Sequence, residues 1–226
     1  MIRFDNMKVS SSKENYIKAI FHLQEEDGIV TTNALARQLE TSAASVTDML
    51  KKLKTHKLLI YEKYRGFKLN PEGKRIALQI IRKHRLWELF LVKKLRFGWE
   101  EVHEMAEELE HISSKKLVDR LDEFLGFPKS DPHGDPIPDS NGKFALKKQM
   151  NLTEVKLNIP GVVSNISDQS PEMLELLKHK GLGLGTKVEV KKRFAFDNSI
   201  ELKVKNLPAV TISGNVAKKV FVTHEE

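Results

Sequence analysis

Segment 103–111 of this 226-residue chain contains two histidines and four glutamates, and two of these glutamates lie on the same helical stripe as the histidines. The residues of this stripe are His103, Glu107, Glu110 and His111. On an α-helix all four fall on one stripe about 100° wide, and the apolar residues of the segment fall on a separate face. Imidazole nitrogens and carboxylate oxygens on one stripe suit a divalent cation such as Mn2+, Fe2+ or Zn2+. A solvated acidic helix face that happens to carry two histidines is the alternative reading.

The apolar segment 78–95 carries a second pair of the same chemistry. His84 and Glu88 are one helical turn apart on the same face, between large aliphatic residues. Burying a carboxylate among aliphatic side chains is costly unless it is paired or binds a metal ion. A His–Glu hydrogen bond in a core or a dimer interface is the alternative. Two His/Glu stripes on consecutive helices favour a metal centre.

Positive and negative charges are concentrated in different segments. The formal net charge is +7. Between residues 51 and 85, Glu62 and Glu72 are the only acidic residues among many lysines and arginines. Between residues 100 and 123 acidic residues dominate. The first segment therefore favours an anionic partner and the second a cation.

The composition excludes several classes of protein. No run of 18 or more apolar residues occurs, and the N-terminus lacks the apolar core of a signal peptide. We therefore expect a cytoplasmic protein without a membrane partner. The chain contains no Cys, which excludes disulfides, thiolate zinc sites and cysteine nucleophiles.

The segment after the first helix, which ends at Asp27–Gly28, fits a helix-turn-helix. A short helix from Asn33 to Leu39 is followed by a break and by a longer helix that Ser42 caps. The start of such a second helix reaches base edges in the major groove. The residues of this helix that we expect to contact DNA are Ser42, Ala44, Ser45, Asp48, Lys51 and Lys52.

A β-hairpin is expected directly after this helix, with strands at 58–63 and 67–69. It turns the unit into a winged helix, with Lys63, Tyr64 and Arg65 at the tip of the wing as further DNA contacts. Binding through phosphates would be strongly salt-dependent. A plain three-helix core is the alternative, which the basic wing disfavours.

The following helices carry a larger apolar surface than a short helical domain needs for its own core. The residues concerned are Ile76, Ile80, Ile81, Leu86, Trp87, Phe90, Leu117 and Leu121. We infer a homodimer that presents two wings to a palindromic double-stranded operator. From about Leu152 short strands replace the helices, which predicts a small β-barrel.

Four segments together resemble the diphtheria toxin repressor and manganese transport regulator family. They are YEKYRG at 61–66, RKHRL at 82–86, EELEH at 107–111 and HGDPIP at 133–138. The resemblance implies a dimeric transcriptional repressor that needs bound Mn2+ or Fe2+ to bind its operator. It also implies a C-terminal SH3-like (FeoA-type) domain.

We therefore expect a mainly α chain with a small β domain. Residues 1–72 would form the winged-helix DNA-binding domain, and residues 73–142 the helical dimerisation and metal-binding domain. A linker at 143–151 would lead to the SH3-like β-barrel at 152–226.

The resemblance also implies the metal ligands. His84, Glu88 and His103 correspond to one metal site of the family, and Glu107, Glu110 and His111 to its neighbour. Further candidates are Asn15, where the family has Asp or Met, and Asp168 or Gln169 from the barrel. By contrast, His133 stands alone in a loop, where a histidine is more often a bystander than a ligand.

The family comparison also bears on the metal. Iron-responsive members have Cys at the position of Glu107, so the oxygen and nitrogen set favours Mn2+ over Fe2+. Other divalent metals such as Zn2+ or Co2+ could bind in vitro. Lys18 occupies a position where some manganese regulators have Glu.

We expect a metal-dependent repressor of metal homeostasis, not an enzyme, and no small-molecule substrate. An Fe2+-dependent repressor of iron uptake is the alternative within this reading. A metal-dependent hydrolase is a remote alternative, because the chain has no His-Glu-x-x-His and no phosphate-binding glycine loop. A DNA-binding module whose His/Glu stripes are structural is a third reading.

Overall fold

The computed structural model describes residues 10–28, 30–62, 66–144, 148–204 and 208–224. The chain divides into two compact units, and three of the boundaries between them fall within helices. The first unit comprises Met1–His84, Glu108–Arg120 and Pro138–Lys143. The second unit comprises Arg85–Glu107, Leu121–Ile137 and Phe144–Glu226.

The N-terminal part of the first unit is a winged helix, as the sequence predicts. Its elements are α1 (Ser11–Asp27), α2 (Thr32–Gln38), α3 (Ala43–Thr55), β1 (Leu59–Glu62) and β2 (Gly66–Leu69). Thr31 and Ser42 cap α2 and α3 by accepting hydrogen bonds from the backbone N–H groups of Ala34 and Ser45. The predicted wing-tip residues, Lys63, Tyr64 and Arg65, lie outside the described residues.

A shared apolar core holds these three helices and the hairpin together. Its fully buried members include Ile17, Ile20, Leu35, Val46, Leu53 and Leu58. Burial of each large aliphatic side chain contributes about 1.5–3 kcal/mol, which exceeds the contribution of a cap. The core therefore fixes the orientation of α3 and leaves its polar face exposed.

Three helices follow the hairpin: α4 (Pro71–Leu95), α5 (Val102–Leu109) and α6 (Lys115–Phe124). Pro71 begins α4, where its missing N–H leaves no intrahelical bond unmade, and Asn70 accepts a hydrogen bond from the N–H of Gly73. The helix expected for segment 103–111 is shorter than predicted, because α5 ends at Leu109. Ser114 then caps α6. Glu110 and His111 consequently lie in a turn.

The C-terminal part of the second unit is a six-stranded antiparallel sheet, in the order β3-β8-β4-β5-β6-β7. Its elements are β3 (Met150–Asn151), β4 (Pro160–Ile166), α7 (Pro171–His179), β5 (Lys187–Arg193), β6 (Ile200–Val204), β7 (Val210–Ile212), α8 (Gly214–Ala217) and β8 (Val220–Thr223). The predicted small β domain is therefore confirmed, with the helices α7 and α8 between its strands. The strand expected to begin at about Leu152 is not formed, because Asn151 accepts hydrogen bonds from Thr153 and starts a turn.

Among the described residues, no helix is both long enough and apolar enough to cross a bilayer.

Candidate metal centre

Three buried side chains of the second unit converge on one point. Glu88, Asp131 and His133 each offer a ligand atom, and these atoms lie within 4.8 Å of one another. Glu88 and His133 are 0% exposed and Asp131 is 3% exposed. Two carboxylates and an imidazole are rarely buried together without a compensating charge.

The carboxylate of Asp131 is oriented by its own loop. Its Oδ1 accepts hydrogen bonds from the backbone N–H groups of His133, at 2.8 Å, and Asp135, at 3.0 Å. Its Oδ2 is buried and has no hydrogen-bond partner among the described residues. This oxygen lies 3.6 Å from Arg85 Nε. One oxygen therefore fixes the side chain, and the other is available to a ligand.

The ring of His133 is oriented in the same way. Its Nε2 lies 2.9 Å from the carbonyl oxygen of Trp99, which can only accept, so Nε2 donates. The indole of Trp99 stacks on the imidazole, with centroids 6.0 Å apart. In the neutral ring Nδ1 then carries the lone pair, and it lies 3.7 Å from Glu88 Oε2. A histidine whose other nitrogen donates to a backbone carbonyl is the common arrangement of a metal ligand.

The loop that carries Asp131 and His133 is packed against β4. The carbonyl oxygen of His133 accepts a hydrogen bond from the N–H of Ile166 at 2.9 Å. Asp135 accepts hydrogen bonds from Asn165 at 2.7 Å, and from Gln169 and Arg85 at 3.0 Å each. The loop is thus held from both the helical and the barrel segments of this unit.

The electrostatics of the cluster favour a cation. Burial, together with the negative charge of Glu88, raises the pKa of Asp131 to about 7. For His133 burial opposes the charged ring, but the negative charges of Glu88 and Asp131 outweigh it and raise the pKa. Both shifts reflect excess negative charge in a buried place.

Glu88 also faces the predicted ligands of α5. Its Oε1 lies 3.5 Å from Nδ1 of His103, and Nε2 of His103 lies 3.6 Å from Oε1 of Glu107. His103 is half exposed. These three residues and the Asp131–His133 loop form one set of candidate ligands, all within the second unit.

The first unit contains a second group of predicted ligands around Glu110, whose side chain is 0% exposed. Lys18 donates to both carboxylate oxygens, at 2.8 and 2.9 Å, and His84 Nδ1 lies 2.7 Å from Oε2. Burial would raise the pKa of Glu110, but the hydrogen bond with His84 and the charge of Lys18 hold it below its usual value.

His111 contacts the first helix through an unexpected residue. Its Nδ1 lies 2.6 Å from Oε2 of Glu14 on α1, and Lys83 lies 3.5 Å from Oε1 of the same carboxylate. Asn15, the predicted ligand on α1, has a buried Oδ1 without a hydrogen-bond partner among the described residues. Asn15 also lines a groove of about 590 Å³ beside the start of α3.

The donor chemistry fits a divalent metal ion. The buried atoms Asp131 Oδ2 and His133 Nδ1 have no hydrogen-bond partner among the described residues. Both side chains are held in place through their other polar atom, Oδ1 of Asp131 and Nε2 of His133. The available donors are carboxylate oxygens and imidazole nitrogens, which suit Mn2+, Fe2+ and Zn2+. Arg85 compensates only part of the negative charge, because it also contacts Asp135.

The sequence pattern identifies most of these residues but misses three. Asp131 and Glu14 do not stand out in it, and His133 reads as a bystander in a loop. The Asp-x-His spacing at 131–133, just before Gly134, is the available signal. Asp168 accepts hydrogen bonds from Ser170, and Gln169 donates to Asp135. Their roles as ligands stay predictions.

The start of α3 presents a polar surface. Ser42, Ala44, Ser45, Asp48, Lys51 and Lys52 are all exposed. Lys51 lies 3.3 Å from Asp48, in an exposed pair that contributes little to stability and leaves both groups accessible to DNA.

Family models match three consecutive parts of the chain. Residues 8–67 match the N-terminal DNA-binding domain of the iron-dependent repressors, and residues 70–139 match their metal-binding and dimerisation domain. Residues 150–224 match the FeoA domain.

Individual relatives agree with these matches. The iron-dependent repressor IdeR of Mycobacterium leprae is 30% identical over 173 residues, which is 73% of this chain and 75% of IdeR. The chain belongs to the diphtheria toxin repressor family of metal-dependent repressors. The regulator MntR of Bacillus pumilus is 37% identical over 116 residues, which is 51% of this chain and 80% of MntR.

Solved structures of the family resemble most of the chain. A manganese-dependent transcriptional repressor in complex with manganese has a TM-score of 0.84 at 33% identity, with 94% of this chain and 100% of that chain covered. ScaR with bound Cd2+ has a TM-score of 0.79 at 31% identity, with 94% and 99% covered.

Family membership decides the general function. The protein is a metal-dependent DNA-binding transcriptional repressor with a dimerisation domain, and its partners are operator DNA and a second copy of itself. It is not an enzyme, so the hydrolase reading is wrong.

Proposed function

We propose that the protein is a repressor of metal homeostasis that responds to Mn2+. The observation that carries this proposal is the buried Glu88, Asp131 and His133 cluster, with its oriented oxygen and nitrogen donors. No thiolate is available, because the chain has no Cys. Hard oxygen donors favour Mn2+ relative to softer ions. The manganese-bound repressor of similar structure supports the same choice.

The proposed ligands fall into one set in each unit. In the second unit they are Glu88, His103, Glu107, Asp131 and His133. In the first unit they are Glu14, His84, Glu110 and His111. The grouping implied by the family, His84 with Glu88 and His103 and Glu107 with Glu110 and His111, combines residues of both units and stays a prediction. Asn15, Asp168 and Gln169 stay candidates. The domain boundaries at 72, 142 and 151 stay proposals as well.

The chain's own residues explain why operator binding would depend on the metal. A bound divalent cation supplies the positive charge that lets neighbouring carboxylates ionise together. Without it, Asp131 and Glu88 repel each other in a buried site. In the first unit, Glu14 links α1 of the winged helix to His111. A change in the position of His111 therefore affects α1, which packs against α2 and α3.

Metal binding and operator binding must then strengthen each other. The metal and the operator both bind more tightly to the same arrangement of the winged helices, so each one, once bound, raises the affinity for the other. Two winged helices in a homodimer would read the two halves of a palindromic operator. Such a repressor would act on DNA in the cytoplasm.

The test compares variants of one ligand from each unit by operator binding as Mn2+ is added. Glu110→Gln and Glu88→Gln should require at least about tenfold more Mn2+ than the unsubstituted protein, a change of about 1.4 kcal/mol or more. Glu108→Gln is the matched control, because Glu108 is exposed and lies next to these ligands. Identical Mn2+ midpoints for all four proteins would show that these carboxylates do not bind the regulatory metal.

A further inference from the structure

A lysine already occupies the cation position at Glu110. Lys18 on α1 donates to both oxygens of this carboxylate, at 2.8 and 2.9 Å, across 92 residues of sequence. The side chain of Lys18 is 13% exposed and that of Glu110 is 0% exposed. The pair is therefore protected from water, unlike the exposed pairs that salt and solvent weaken.

Within the first unit, both carboxylates of this group already have lysine partners. The second carboxylate of this group, Glu14, also has a lysine partner, because Lys83 Nζ lies 3.5 Å from its Oε1. Two carboxylates thus face two ammonium groups, and the two nearby residues His84 and His111 are neutral when unprotonated. A divalent cation bound by Glu110 would lie beside the ammonium group of Lys18, and the two positive charges would repel each other.

Geometry leads to the same conclusion. An ammonium nitrogen within hydrogen-bond distance of both Oε atoms lies where a cation bound by both oxygens would lie. A metal ion that takes Glu110 as a ligand must therefore share or displace the contact with Lys18. Part of the favourable interaction of the metal with Glu110 is offset by the loss of this ion pair.

We infer that Lys18 competes with the divalent cation for Glu110 and so raises the metal concentration at which the first-unit ligands are filled. This inference rests on the proposed function. Because Lys18 belongs to α1 of the winged helix, its release from Glu110 also removes one of the contacts that hold this helix in place. The residue is a positioning group and a competitor, not a ligand.

The test measures Mn2+ binding directly by calorimetry on the chelator-stripped, full-length protein. Lys18→Gln removes the charge but keeps a hydrogen-bond donor. It is combined with Glu88→Gln, which weakens binding by the second-unit ligands, and this double variant is compared with Glu88→Gln alone. Lys18→Gln should bind Mn2+ about tenfold more tightly. Its melting temperature without metal should fall, and Mn2+ should restore it.

Two further variants separate charge from packing. Lys18→Arg keeps the positive charge, so its Mn2+ affinity should stay close to that of the unsubstituted protein. Lys74→Gln removes a lysine of the same unit whose partner, Glu25, is 3.6 Å away in an exposed pair. This control should change neither Mn2+ affinity nor the metal-free melting temperature.

The outcomes distinguish the two claims. Equal or weaker Mn2+ affinity of Lys18→Gln, with clear binding by the unsubstituted protein, would overturn the competitor role and leave the proposed function intact. Absence of Mn2+ binding in every protein, including the unsubstituted protein without Glu88→Gln, would overturn both the competitor role and the proposed function. If Lys18→Gln does not fold, a Lys18→Arg variant with tighter Mn2+ binding than the unsubstituted protein would also contradict the inference.

Discussion

At Asp131 the two carboxylate oxygens have different environments. The loop backbone holds Oδ1, and Oδ2 is left buried without a hydrogen bond among the described residues. His133 shows the same division between its two ring nitrogens. Such paired orientation of donors is what a metal ligand requires. Sequence spacing alone could not reveal it, because a loop residue has no periodicity from which its direction can be read.

The raised pKa of Asp131 predicts how pH affects the metal-free protein. In the folded state this carboxyl keeps its proton up to about pH 7, whereas its ordinary pKa is 3.8. Below about pH 4 this shift therefore costs no folding stability. As the pH rises the free energy of unfolding falls, and the loss is complete above about pH 7. Asp131→Asn should thus stabilise the metal-free protein at pH 8, by up to a few kcal/mol, and have little effect at pH 4.

This prediction is checked by urea unfolding in a chelator at the two pH values. Asp119→Asn is the control, because Asp119 is 45% exposed in a pair with Lys115 and should give no gain at pH 8. Equal effects of Asp131→Asn at both pH values would mean that the carboxyl titrates normally. The same variant should also weaken Mn2+ binding.

Among the secondary-structure elements, the helices and the winged-helix hairpin follow the sequence closely. Capping residues and apolar periodicity place the starts of α2 and α3 within a residue or two of the expected positions. The end of α5 differs, because the pattern of His103 to His111 continues beyond the last helical residue, Leu109. Periodicity shows which residues could share a face of a helix, but it does not show where the helix ends.

The loop at 131–136 is the element on which the second-unit ligands depend. Gly134 has φ +94°, and a Cβ atom there would lie 2.1 Å from the carbonyl oxygen of Ser164 in β4. Gly134→Ala should therefore cost about 3 kcal/mol or more and abolish stabilisation by Mn2+ at this loop. The loss is measured by thermal unfolding with and without Mn2+.

Gly126→Ala separates backbone strain from the close contact. Gly126 has φ +76° and no neighbouring atom within 4 Å of the added Cβ. It should lose only about 1–2 kcal/mol, the cost of a left-handed conformation, and keep its response to Mn2+. Similar losses in both variants would argue that close packing against β4 does not hold the loop.

At the scale of the whole molecule, the sequence predicts the general function. It predicts the arrangement of the metal ligands only in part. The opposite charges of segments 51–85 and 100–123 by themselves favour an anionic partner and a cation. Family membership agrees with both. Contacts such as Glu14 with His111 and Lys18 with Glu110 join residues more than 90 positions apart, and no local pattern encodes them.

An exposed aromatic patch on the helical part of the second unit gives a prediction about the dimer. In the second unit Phe124 is 61% exposed, with its ring 6.2 Å from that of Phe90, and Phe127 is 60% exposed. Such a patch favours contact with a second copy. Phe124→Glu should shift the protein towards monomer and reduce operator affinity at least about tenfold, since one wing then binds alone. Analytical ultracentrifugation and operator binding check this.

Phe196→Glu serves as the control, because Phe196 is fully exposed near the tip of the β5–β6 hairpin and lies outside the helical segments. It should remain dimeric. A Phe124→Glu protein that stays dimeric at micromolar concentration would place the dimer contact on another surface.

The most direct test of the central claim is fluorescence anisotropy of the chelator-stripped protein on an operator from its own upstream region. The protein is titrated with Mn2+, with Fe2+ under anaerobic conditions and with Zn2+, at fixed salt because phosphate contacts are salt-sensitive. We predict tight binding only when metal is present, with a lower midpoint for Mn2+ than for Fe2+. A lower midpoint for Fe2+ would make the protein an iron regulator. Equal operator binding with and without every metal would contradict the account.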